Sequence, residues 1–200
     1  MASSATASAR AADSVYRSPP DCGALCALFD ELFLASDNTR LVPGGEEPVY
    51  LPAGAGHTEH RIVFRLDYAA SALHEIAHWC IAGAARRQLV DYGYWYSPDG
   101  RDAATQREFE RLEARPQALE WLLAEACGMC FRPSIDNLDG APGDLDAFAV
   151  AIAREAAAYC TLGLPPRAAR LHAALAARFG GRATLRAQDY DARRLTGGGA

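Results

Sequence analysis

Residues 69–85, AASALHEIAHWCIAGAA, constrain this chain more than any other stretch. The only strongly polar side chains in it are Ser71, His74, Glu75 and His78. A helix without a charged, solvated face is buried. Buried ionisable groups are costly unless they are paired, hydrogen-bonded or bound to metal. On a helix, positions four apart rotate by about 40° and rise by about 6 Å. His74 and His78 therefore share a face, and both imidazoles reach one cation. Neutral imidazole is a common ligand for zinc and iron. Glu75 is turned about 100° from His74 and flanks the pair. A chance HExxH with backbone-satisfied histidines is the bland alternative. A shared ion explains all three clustered groups at once.

The rest of the chain alternates less regularly. Cys22 to Leu34 has helical spacing behind Pro19-Pro20, with Asp21 as N-cap. TRLVPGGEEPVYLP, residues 39–52, has two short apolar runs around Pro43-Gly44-Gly45 and predicts a hairpin. RIVFRL, residues 61–66, is a strand rich in branched and aromatic residues. The metal helix is expected to run from Ala69 to about Gln88. YGYWYSPDG, residues 92–100, reads as a strand or extended loop. Thr105 to Glu113 is helical, and Pro116 suits the first turn of a new helix through Cys127. Helices are expected over residues 144–160 and 165–179, the second ending at Gly180-Gly181. Strands fall early and helices dominate later, which favours an α+β domain. The expectation is a small mixed sheet packed with several helices, one of them a zincin-like metal helix. A single catalytic domain over residues 19–195 follows, with tails at residues 1–18 and 196–200.

Composition narrows the chemistry. All 20 basic residues are arginine and none is lysine. That excludes a Schiff-base lysine and a P-loop lysine. The formal net charge is -5 and the arginines are scattered, so no nucleic-acid footprint is visible. The amino-terminal residues lack an apolar signal core, and residues 69–85 are too short and too polar to span a membrane. A cytoplasmic protein without nucleic-acid or membrane partners is expected. The six cysteines, Cys22, Cys26, Cys80, Cys127, Cys130 and Cys160, read as reduced thiols. Cys22 and Cys26 with Cys127 and Cys130 form a weaker four-thiolate zinc alternative.

A metal helix of this kind needs a third ligand. His57, His60 and His172 are available, as are Glu110, Glu113, Glu120 and Glu125. A carboxylate from a later helix is the usual completion, but spacing alone does not choose among the four. HExxH by itself first suggests a zinc metallopeptidase, with Glu75 activating a zinc-bound water. His57-Thr58-Glu59 also matches half of a facial triad, and with Cys127 and Cys130 it loosely resembles a zinc deaminase signature.

Longer strings point elsewhere. HEIAHWCIAGAARR, VDYGYWYSPDGRD and RPQALEW, with NTRLVPGGEEPVYLPA, RIVF and DNLDG, resemble the bacterial elongation factor P hydroxylase family. The resemblance covers residues 38–140. It implies a small sheet with helices and a non-haem Fe(II) protein hydroxylase. The implied substrate is elongation factor P, at a lysine already carrying a β-lysyl extension, with oxygen activated at the metal. It implies His74 and His78 as metal ligands and Glu113 as the carboxylate, with Glu110 second. Zinc can occupy such a site as purified. Two imidazoles and one carboxylate leave positions open on Fe(II) for O₂ and substrate. Glu75 would then orient a ligand or relay protons. The sequence carries no signature for 2-oxoglutarate. Arg86 and Arg87 are candidates to meet an acidic partner, or to favour a helix C-terminus. Tyr94 and Tyr96, within the run Tyr92, Tyr94, Trp95 and Tyr96, are candidates to line an entrance for a long aliphatic side chain. Aromatics alternating this way are as often core.

Overall fold

A computed structural model describes residues 19–54, 56–93, 100–135 and 144–196. The expected tail at residues 1–18 lies outside these, as do residues 197–200 of the expected tail at 196–200, Tyr94, Tyr96 and the DNLDG segment; Thr196 is described and helical. The described residues form an α+β domain with three strands and six helices.

Helix α1, Cys22–Asp37, begins where Asp21 accepts from Ala24 N at 2.9 Å. It buries Leu25, Phe29 and Phe33, on the face that its apolar spacing predicts. Three strands follow, β1 at Thr39–Gly45, β2 at Val49–Leu51 and β3 at His60–Arg65. Their order is β1-β3-β2, with β1 parallel and β2 antiparallel to β3. The expected hairpin between residues 39 and 52 therefore does not form, because both strands pair with β3. Pro43-Gly44-Gly45 is not a hairpin turn. It lies inside β1, where the register shifts between Val42 and Gly45. Pro cannot donate to a ladder, and glycine tolerates the resulting bulge. Leu41, Ile62 and Tyr50 lie in one row across the sheet and are all buried. That row is the sheet's contribution to the core.

Helix α2, Ala69–Ile81, carries the HExxH segment and ends earlier than Gln88. Ala82 is extended, and Arg86 and Arg87 lie beyond the end of α2, in a separate 3-10 turn at Arg86–Gln88. The signal for this end lies far away in sequence. Arg167 Nη2 donates to the carbonyls of Trp79 at 2.8 Å and Ala82 at 2.7 Å, and its guanidinium sits 4.4 Å over the Trp79 ring. Trp79 packs edge-on against Phe29 and Phe33, with centroids at 5.2 and 4.9 Å.

Helix α3, Ala103–Ala126, is continuous, so Pro116 lies inside it and begins no new helix. A helix-interior proline costs roughly 3 kcal/mol. Every residue from Pro116 to Ala126 is buried, and that packing outweighs the cost. The earlier half of α3 is mostly exposed and charged. Helices α4, Leu145–Leu162, and α5, Pro166–Phe179, stand close to their expected bounds and pack on α3. A short α6, Arg193–Thr196, closes the described chain. Among the described residues no single helix is long and apolar enough to cross a membrane.

Candidate metal centre

Helix α2 turns His74 and His78 toward α3. Their Nε2 atoms lie 3.1 Å apart, and the rings meet edge-on. Glu113 on α3 reaches both. Its Oε1 is 3.4 Å from His78 Nε2, and its Oε2 is 3.6 Å from His74 Nε2. One ligand atom from each of the three lies within 4.8 Å of the others. Among the described residues no other trio of His, Cys, Asp or Glu converges in this way. Glu113 is buried and its side chain is 3% exposed, against 11% for His78 and 26% for His74. The cluster therefore opens on the His74 side.

Glu120 stands seven residues after Glu113, about two turns along the same helix and on the same face. Its Oε2 lies 2.9 Å from His74 Nδ1. A carboxylate only accepts, so Nδ1 carries the proton and donates it. In the neutral ring, Nε2 is then a lone pair aimed at Glu113 and His78. Lone pairs from two imidazoles and a carboxylate meet at one point, and such a donor set fits a divalent metal ion. Without a metal, burial opposes charging of His74. The hydrogen bond to Glu120, with the charges of Glu120, Glu113 and Glu75, outweighs it and pushes the imidazole up to about 10. Metal binding would displace that proton. Burial raises the Glu75 carboxyl above its ordinary range. His74 and His78 oppose this, while Glu113 and Asp91 add to it.

The fold separates the remaining candidates. Glu110 accepts from Gln106 Nε2 at 3.1 Å. Glu125 is ion-paired with Arg182 and Arg194. His60 Nδ1 accepts from Ala53 N at 3.0 Å, His57 bridges to Gly54, and His172 is buried on α5. Glu59 is bonded to Thr58 and Arg61 and not to a metal partner. All six cysteines are free, and Cys22, Cys26, Cys127 and Cys130 do not converge on an ion-sized point. Arg86 Nη1 donates to Tyr92 O at 2.9 Å and Arg87 Nη1 to Ala82 O at 2.7 Å, so both brace the segment after α2. A cavity of about 420 Å³ lies beyond Glu120. It meets the cluster only through Glu120 and Leu73, and none of the three converging side chains lines it.

The segment after α2 holds a feature that sequence reading missed. Asp91 and Tyr92 both adopt left-handed backbone, with φ of 46° and 57°. Each such residue costs on the order of 1–3 kcal/mol and persists only when its surroundings impose it. Tyr50 N donates to Asp91 Oδ1 at 2.7 Å, and Arg86 holds the Tyr92 carbonyl. The buried Tyr92 ring is thereby laid between Tyr50 and His78. An alternating aromatic pattern gives no sign of this turn. The part played by Glu120 had a signal, the seven-residue spacing from Glu113, which the helix break read at Pro116 obscured.

Two histidines from one helix and a carboxylate from the next, with a second carboxylate behind one imidazole, define an α+β protein with side chains that could hold a metal ion in the two-histidine, one-carboxylate manner. Residues 28–190 match the family model described as EpmC, elongation factor P hydroxylase. A Haemophilus influenzae relative named elongation factor P lysine hydroxylase is 50% identical over 153 residues, spanning 76% of this chain and 86% of the relative. The chain belongs to the elongation factor P hydroxylase family. The matched region contains α2, α3 and every side chain of the cluster. The zinc-peptidase reading gains no support from either comparison.

Proposed function

We propose that this protein hydroxylates elongation factor P, at a lysine already extended by a β-lysyl group, with Fe(II) held by His74, His78 and Glu113. The convergence of those three donors carries the reading, and family membership directs it to hydroxylation instead of hydrolysis. Two imidazoles and one carboxylate are the donor set of many non-haem Fe(II) oxygenases, although zinc can take the same ligands. When bound, iron supplies the redox chemistry that places one oxygen atom from O₂ into a C–H bond.

The chain's own residues fix where that happens. Glu120 holds His74 in the tautomer that keeps Nε2 free for the ion. Glu113 and His78 close the buried side of the cluster, which leaves the His74 side for the substrate to approach. Glu75, its carboxyl raised by burial, flanks the cluster where it could relay a proton. Arg86 and Arg87 serve the substrate indirectly, by bracing the loop after α2. A translation factor as substrate places the reaction in the cytoplasm.

The test is the intact mass of β-lysylated elongation factor P after incubation with this protein, Fe(II), a reductant and O₂, with and without 2-oxoglutarate. A gain of one oxygen atom is expected, and none with His78→Ala. Because the chain has no lysine, any hydroxylated lysine found after digestion comes from the substrate. No gain with folded, iron-loaded protein in either arm overturns the proposal.

A further inference from the structure

The two histidine ligands are held differently. His74 has the Glu120 carboxylate at Nδ1. Among the described residues His78 has no hydrogen-bond partner at Nδ1. Its ring instead lies parallel to that of Tyr92, with an interplanar angle of 11° and centroids 6.5 Å apart. Tyr92 stacks in turn on Tyr50, with centroids at 4.3 Å and planes within 20°. Tyr50 stacks on His60, with centroids at 6.0 Å and planes within 11°. Four near-parallel rings thus run from β3 to the cluster.

The row is anchored at its sheet end. Tyr50 is fully buried, and its hydroxyl donates to Arg87 O at 2.9 Å. Asp91 and Arg86 fix the backbone of Tyr92 from either side. Among the described residues the buried Tyr92 hydroxyl has no hydrogen-bond partner. That hydroxyl does nothing to hold the side chain, and the backbone beneath it is left-handed. Unfavourable backbone and an unsatisfied polar atom at one residue mark a position kept for something else it does. What remains is the contact of its ring face.

We infer that the Tyr92 ring is the positioning group for His78, setting the plane of that imidazole as the Glu120 carboxylate sets that of His74. The inference rests on the metal-site reading above. Ligand histidines ordinarily owe their orientation to a hydrogen bond from the second ring nitrogen. Here a flat, anchored ring takes that place, and offset stacking of aromatic rings favours the parallel arrangement.

Co(II) binding tests this without reference to activity, through chelator competition and the visible absorption of the bound ion. Tyr92→Phe keeps the ring and is expected to bind within about twofold of wild type with an unchanged spectrum. Tyr92→Leu removes the ring and is expected to bind about 10–100-fold more weakly, the loss typical of removing a ligand's supporting partner, with an altered spectrum. Tyr92→Met fills more of the volume without a plane and carries the test if the leucine variant does not fold, as judged by circular dichroism. A folded Leu or Met variant that binds Co(II) as wild type does, with the same spectrum, overturns the inference and leaves the metal site standing. Failure of wild type itself to bind Co(II) overturns both.

Discussion

Replacing Glu120 by alanine offers the sharpest test of how the centre is built. The bond it removes is 2.9 Å long, and the Glu120 side chain is only 11% exposed. Hydrogen bonds to a charged group contribute roughly 1.5–3 kcal/mol when little screened by solvent. At about 1.4 kcal/mol per tenfold, Glu120→Ala should weaken metal binding about 10–150-fold. This agrees with the roughly 10–100-fold usually lost with a ligand's outer partner. Glu120→Gln offers Nδ1–H an uncharged acceptor, and neutral bonds are about half as strong. Its loss should be about 3–10-fold. The assay is anaerobic Fe(II) titration against a chelator of known affinity, with Co(II) as a stable substitute. A folded Ala variant within about threefold of wild type would refute the account. So would a Gln variant that binds more weakly than the Ala variant.

Other outcomes follow from the same geometry. Glu113→Ala should abolish tight iron retention, whereas Glu110→Ala should leave it unchanged, because Glu110 pairs with Gln106; metal analysis after gel filtration separates the two. Arg167→Ala removes the carbonyl contacts and the ring contact that end α2. A loss of about 2–4 kcal/mol is expected, seen as a fall in Tm of roughly 4–16 °C, and a fall under about 2 °C would contradict it. His172 is buried, which holds its pKa below the usual value, with Glu125 opposing. The unfolded chain therefore takes up the proton first, and stability drains as pH falls below about 6.5. His172→Leu should lose less stability than wild type between about pH 7.5 and 5.5 in urea titrations, and equal losses would rule this out.

Features governed by local pattern were readable in the chain. The buried HExxH helix, the α+β class, the Asp21 cap and the bounds of α4 and α5 all rest on periodicity or capping within a few residues. Features set by packing were not. The choice among Glu110, Glu113, Glu120 and Glu125 depends on how α3 lies against α2. Reading Pro116 as a helix start severed the phase that puts Glu113 and Glu120 on one face. The end of α2 is set by Arg167, more than eighty residues away in sequence. Pro43-Gly44-Gly45 resembles a turn locally, but β3 offers both flanking strands a better partner than each other. The left-handed pair at Asp91 and Tyr92 leaves no compositional trace, since neither residue is a glycine.

Helix α3 divides at Pro116 into an outer half that faces solvent and an inner half sealed in the core. Glu113 sits at the end of the outer half, one residue ahead of the buried Ala114. The backbone amide that would tie position 116 to the carbonyl of Leu112 is missing, because proline has none. An ion shared by Glu113 and the two histidines of α2 would act there as a rivet, fastening the outer half to a neighbour just where its own ladder is interrupted. Filling the site and stiffening residues 103–113 would then be two views of one equilibrium. Amide exchange along that half-helix would report occupancy of the centre before any substrate is present.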